Sequence, residues 1–143
     1  MWNLNFQPPA VIDASIWSSL PQQFRAAKEN EWALVNKPGQ LIDSFLEGPV
    51  FDVSGNLYVT DIPYGRIFKI SPNKDWELII QYDGMPNGLA IDASGMIWIA
   101  DYKQGLLRLD PRSKSLEVIL VGPNKNQDSF LGLNDLIFDK KGN

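Results

Sequence analysis

Residues 46–56, LEGPVFDVSGN, are written three times in this chain: they return as PNGLAIDASGM at 86–96 and as LNDLIFDKKGN at 133–143. Aligning the copies on their D-x-x-G turns, which start at Asp52, Asp92 and Asp139, places Glu47, Asn87 and Asn134 at one shared address, five residues before each turn aspartate. The turn residues keep their identity, as architecture demands. The leading residue changes, as expected where a site is made.

Around each copy the rest of a repeat unfolds. After the first come short apolar runs at 57–60 and 66–70 and WELIIQY at 76–82, each bounded by turn residues; with 50–53 they read as four strands. The second copy answers them run for run, with MIWIAD, LLRLDP and SLEVILV. Glu47 and Asn87 lie 40 residues apart and Asn87 and Asn134 lie 47 apart, the excess falling mainly in 122–133, GPNKNQDSFLGL. Four short strands at such a period are the pattern of a β-propeller blade, a small sheet buried between its neighbours. The absence of helical periodicity excludes a helical solenoid, and an immunoglobulin-like sandwich does not repeat itself this way.

The expected fold is therefore all-β: about two and a quarter blades of a β-propeller, with repeats starting near 47, 87 and 134. The sequence reads as a fragment of a longer protein, since two blades and a strand cannot close a propeller. Residues 47–143 form the incomplete propeller and residues 1–46 an amino-terminal segment that packs on it. Within that segment 21–30, PQQFRAAKEN, reads as a short helix with proline at its first turn. From Trp32 the pattern reads as two short strands around Lys37-Pro38-Gly39.

Composition narrows the chemistry. The 143 residues are 44% hydrophobic, enough for a packed core, and 13 basic against 17 acidic residues leave a formal charge of −4. The basic residues are scattered, so neither a nucleic-acid nor a membrane partner is expected. Cysteine and histidine are absent, which removes disulfides, thiolate zinc sites, cysteine nucleophiles and Ser/His/Asp triads within these residues. Without a basic start or a long apolar run, the amino terminus does not read as a signal peptide, and a cytoplasmic location is the expectation. Nothing in the sequence specifies an oligomeric state.

In a propeller the first strand of each blade lines the central channel. Glu47, Asn87 and Asn134 therefore read as parts of a ring, and a carboxylate with amide oxygens suits a hard divalent cation. Each residue also has a plainer reading. Glu47 opens an inner strand, where a glutamate is costly to bury without a partner. Asn87 in Pro86-Asn87-Gly88 serves equally as a turn residue, and Asn134-Asp135 as a loop cap. Asp61 and Asp101, copied at a fixed offset, read as turn hydrogen bonding, and Lys69 and Arg108 as solvent-facing. No phosphate loop, dinucleotide fingerprint, EF-hand or nucleophile elbow is present.

The stretches FLEGPVFDVSGNLYVTDIPYGRIFKISP, DGMPNGLAIDASGMIWIADYKQGLLRLDP and GLNDLIFDKKGN together resemble the senescence-marker-protein/gluconolactonase family, which includes regucalcin and bacterial lactonases. The resemblance covers 44–143. It implies a six-bladed propeller with one divalent cation in its channel, calcium foremost, with magnesium, manganese or zinc as the other candidates. Its E-G-P glutamate matches Glu47 and its N-D asparagine matches Asn134 as metal ligands. Asn87 and Asp135 carry over as substrate contacts. The general base and the remaining ligands are expected beyond Asn143, so no catalytic residue is assigned.

The implied activity is hydrolysis of a small-molecule lactone. Sugar-lactone members of the regucalcin type carry an arginine two residues before the motif asparagine, where this chain has Gly132; that departure and the longer 122–133 loop point toward a different pocket. The alternatives are a non-catalytic ligand- or cation-binding propeller and a strictosidine-synthase-like propeller.

Overall fold

Each copied D-x-x-G turn is closed by its own aspartate. Asp52 Oδ1 accepts from the backbone N–H groups of Ser54 and Asn56, both at 2.9 Å, and Oδ2 accepts from Asn56 Nδ2 at 2.8 Å. Asp92 repeats this with Ser94 N–H at 2.8 Å and Met96 N–H at 3.1 Å, and adds Ser94 Oγ at 2.6 Å and Trp98 Nε1 at 2.8 Å. The third copy keeps the motif, with Lys141 N–H on Asp139 Oδ1 at 2.8 Å. Such Asx-type bonds fix the reversal that the following strand needs.

The first two of these turns lie within the two sheets of a computed structural model, which describes residues 9–122 and 132–142. Strands β1 (Leu46–Phe51), β2 (Leu57–Asp61), β3 (Arg66–Ile70) and β4 (Trp76–Gln81) form one four-stranded antiparallel sheet in sequence order. Strands β5 (Pro86–Ile91), β6 (Ile97–Asp101), β7 (Gly105–Leu109) and β8 (Leu116–Val121) form the second. The sheets repeat even their irregularities: the ladder shifts between Ile67 and Phe68 in the first and between Leu106 and Leu107 in the second. Two four-stranded antiparallel sheets in sequence order agree with part of a β-propeller.

Period-2 alternation decides what each face meets. Tyr58, Ile67 and Ile79 of the first sheet pack against Leu89, Ile97, Ile99, Leu107 and Leu109 of the second. The opposite face of the first sheet offers Val59, Phe68 and Ile70, which bury Leu20 and half-bury Phe24 of the amino-terminal segment. The first sheet is thus covered on both sides. On the far side of the second, Phe138 of the third copy meets Trp98 edge to face at 5.9 Å.

The amino-terminal segment departs from expectation twice. The helix expected over 21–30 shrinks to a 3₁₀ turn, Gln22–Phe24, and the strand expected from Trp32 is an α-helix, α1 (Glu31–Asn36). Asn30 explains the second: its side chain accepts from Ala33 N–H at 2.8 Å, an N-cap that starts a helix in spite of the β-favouring Trp32 and Val35. Of the second expected strand only an isolated bridge, Lys28 to Ile42, is formed.

The segment is anchored by a buried ion pair. Arg66 Nε donates to Asp61 at 2.7 Å, and its remaining nitrogens reach the carbonyls of Phe24 at 2.8 Å and Asp43 at 3.4 Å. The first strand begins at Leu46, four residues earlier than the 50–53 reading, so Glu47 lies inside it. The third copy forms no strand among the described residues.

A glycine comparison tests how tightly the sheets abut. Gly48 (φ +54°) and Gly95 (φ +84°) share a left-handed backbone, but a Cβ on Gly48 would overlap the Asn87 carbonyl oxygen, whereas one on Gly95 meets nothing within 4 Å. Gly95→Ala should cost only the backbone strain of about 1–2 kcal/mol, and Gly48→Ala clearly more, measured by denaturant unfolding; equal costs would refute the close contact.

Acid titration tests the turns. Burial favours the neutral form of Asp92, but the bonds from Ser94, Trp98 and Met96 outweigh it and hold its pKa at about 2 against an ordinary 3.8. A depressed folded value contributes stability above the unfolded pKa and loses it as pH falls through the folded one. The unfolding midpoint should therefore drop as pH falls from near 3.8 toward 2, and Asp92→Asn should flatten that dependence.

Candidate functional site

The three addresses are drawn together by backbone contact. The β1–β2 ladder slips between Glu47 and Val50, and the β5–β6 ladder between Pro86 and Leu89, so the first two addresses sit at bulges, a device that re-aims side chains. Thr60, opposite Glu47 in the ladder, donates its hydroxyl to the Asn87 carbonyl at 2.9 Å, the same carbonyl that Gly48 touches. Gly88 N–H donates to the Asn134 carbonyl at 2.8 Å.

Side chains follow from this. Asn87 Nδ2 donates to Asn134 Oδ1 at 2.6 Å. Glu47 is exposed on β1, and its carboxylate makes no hydrogen bond or ion pair among the described residues. Asp135 is also exposed; its Oδ1 accepts from Leu136 N–H at 2.8 Å and lies where a Cβ on Gly88 would be.

Asn87 and Asn134 line a cavity of about 600 Å³, together with Ile62, Met85 and Tyr102 from the ends of the sheets and Trp32 and Val35 from α1. Glu47 and Asp135 do not line it. The wall residues Ile62 and Tyr102 share an address, each following a fully buried aspartate, Asp61 and Asp101. Their backbones are held alike: Ile62 N–H donates to the Phe45 carbonyl at 3.2 Å and Tyr102 N–H to the Met85 carbonyl at 3.0 Å.

The two aspartates do more than cap turns. Asp61 Oδ1 accepts from Phe45 N–H at 2.8 Å while Oδ2 pairs with Arg66. Gly105 occupies the ladder position of Arg66, so Asp101 finds other partners: Lys103 N–H at 2.8 Å, Gln104 N–H at 2.7 Å and the Tyr82 hydroxyl at 2.8 Å. Burial, and then the neighbouring Asp101 carboxylate, push the Tyr82 hydroxyl well above its ordinary range, so it stays a donor. Asp101 thereby sets the loop that carries Tyr102 and Lys103.

At the cavity rim Lys103 Nζ lies 2.6 Å from Asp83 and 3.4 Å from Glu31 of α1. The hydrogen bond to Asp83 leads in raising its pKa, with burial opposing and Glu31 adding to the rise. Gly132, at φ +79°, packs under the Tyr102 ring: a Cβ there would stand 2.5 Å from the ring's Cδ2. No side chain fits at that address while Tyr102 keeps its place, which gives a physical reason for the glycine. Residues 123–131 of the enlarged loop lie outside the described residues.

Sequence reasoning picked out Asn87 and Asn134 but missed the wall. The signal was available for Ile62 and Tyr102, which repeat one residue after Asp61 and Asp101, and for α1, announced by the Asn30 cap. Lys69 and Arg108 are half-exposed, and Arg108 pairs with Glu117 at 2.7 Å above the Trp98 ring.

No group of three or more acidic side chains able to hold a metal ion is present among the described residues. The donors that are present fit a hard cation in kind: the uncommitted Glu47 carboxylate, and the Asn134 amide oxygen, which keeps a second lone pair after accepting from Asn87. No helix among the described residues is long and apolar enough to cross a membrane.

Residues 45–143 match the family described as SMP-30/Gluconolactonase/LRE-like region. A protein of Sulfolobus acidocaldarius, described as an uncharacterized protein, is 33% identical in a match covering 57% of this chain and 34% of that protein. The chain thus spans about a third of the length of that relative.

The Tyr82–Asp101 bond is open to test. Tyr82→Phe leaves a fully buried carboxylate oxygen without its donor, at a cost of about 1–3 kcal/mol in denaturant unfolding; an unchanged midpoint would show that the loop is set by its backbone bonds alone.

Proposed function

We propose, because the chain belongs to the SMP-30/gluconolactonase/LRE-like family, that the protein it represents is a metal-dependent lactonase built on a six-bladed propeller, of which these residues supply a part. The observation that carries this reading is the amide pair lining a cavity, Asn87 on Asn134 at 2.6 Å, beside the strand that bears the uncommitted Glu47.

Glu47 and Asn134 would hold one hard divalent cation, calcium foremost. When bound, such an ion supplies Lewis acidity toward an ester carbonyl. Asn87 orients the Asn134 oxygen by its hydrogen bond, and its amide borders the cavity into which a substrate would come. Asp135, on the flank of Gly88, is a proposed contact for the substrate's polar edge. The apolar side chains of Trp32, Ile62 and Met85 exclude water from the rest of the ligand.

A second reading has one observation in its favour. The acidic residue that lines this cavity, Glu31, is committed to Lys103, so these residues offer no uncommitted base within it. That suits a non-catalytic propeller which binds a ligand or cation without turning it over.

Glu47→Gln in the full-length protein separates the two. It should abolish lactone hydrolysis and weaken calcium binding by calorimetry while leaving the circular dichroism spectrum intact. Full hydrolytic activity after the change would remove the metal role assigned to Glu47, and calcium binding by the unaltered protein without turnover of a lactone panel would favour the binding module.

A further inference from the structure

We infer that the cavity between α1 and the sheet ends receives the apolar substituent of an alkyl- or aryl-bearing lactone rather than the hydroxyl-rich ring of a sugar lactone, an inference that rests on the lactonase reading above. Five of the lining residues, Glu31, Asn36, Asn87, Lys103 and Asn134, are polar, and each already spends hydrogen bonds within the protein. Asn87 and Asn134 spend one bond on each other. At the rim, Lys103 is taken up by Asp83 and Glu31, and Asn36 Nδ2 is turned back onto the Trp32 carbonyl at 2.9 Å.

The remaining wall is apolar and backed by rigid contacts. Trp32 lies against Phe45, ring centroids 4.6 Å apart, and Tyr102 rests on Gly132 while 55% of its surface stays open. Val35, 78% exposed, lies on the same helix as Trp32, and Ile62 and Met85 complete the apolar lining. A volume of about 600 Å³ is that of a small-molecule site. A polyol laid along this wall gives up its bonds to water and finds few partners, whereas an alkyl or aryl group loses nothing and buries its surface. The ester would then lie toward Asn87 and Asn134, with its substituent running under α1 toward Tyr102.

The full-length protein is to be assayed with δ-decalactone and δ-gluconolactone, and titrated with the lactam analogue of δ-decalactone, which resists hydrolysis, by tryptophan fluorescence. Expected is a kcat/KM at least about 10-fold higher for δ-decalactone, with Tyr102→Ala and Val35→Asp each lowering it by about 10-fold while δ-gluconolactone changes less than about two-fold. Preference for δ-gluconolactone, or equal losses on both substrates in both variants, overturns the assignment and leaves the lactonase reading standing. If neither lactone is hydrolysed, the lactonase reading falls; lactam binding weakened by Tyr102→Ala would then still support the apolar site, and absence of lactam binding would overturn it too.

Discussion

The two sheets meet where a glycine hydrogen faces a carbonyl oxygen. Gly48 comes so close to the Asn87 backbone that no side chain fits between them, and Thr60 secures the same carbonyl with its hydroxyl. That contact fixes the distance between β1 and β5, hence the spacing of Glu47 and Asn87. The facing apolar sets, Tyr58 and Ile67 on one side and Ile97 and Leu107 on the other, are pressed together at the separation it allows. Hydrophobic burial supplies the driving force, without direction; the glycine contact supplies the register.

A second constraint acts farther out along the strands. Asp61 and Asp101 occupy the same address and are equally buried, yet one is neutralised by Arg66 and the other is hydrogen-bonded by Tyr82. The difference follows from the position across the ladder, an arginine in one sheet and Gly105 in the other. The arginine does double duty, tying residues 24 and 43 to the first sheet. It thereby holds the segment that presents α1 to the cavity. A repeat has in this way kept its geometry while changing its chemistry, tethering a unique segment on one side and shaping a loop on the other.

What could be read from the sequence divides along the same line. The strands of the two sheets, their order and their turns were legible because alternation and D-x-x-G are local and copied. The shared address of Glu47, Asn87 and Asn134 was legible for the same reason, and the structure places Asn87 and Asn134 in contact. Helix α1 was misread because Trp32, Leu34 and Val35 resemble strand residues, and the decision lay with one cap at Asn30. The cavity wall was missed because it joins α1 to loop residues far apart in the sequence, and because Ile62 and Tyr102, though they repeat after Asp61 and Asp101, differ in kind. The first strand's start was placed late because Gly48-Pro49 reads as a break, whereas in the sheet it is a bulge within β1.

Asp135 stands where the first two copies have glycine. The sheets stack by a repeated handshake in which the residue after the address carries no side chain, Gly48 toward the second copy and Gly88 toward the third. The third copy breaks the series. Its carboxylate turns back onto Gly88, with Oδ1 lying where that glycine's Cβ would be, so the side chain missing from one copy makes room for the side chain of the next.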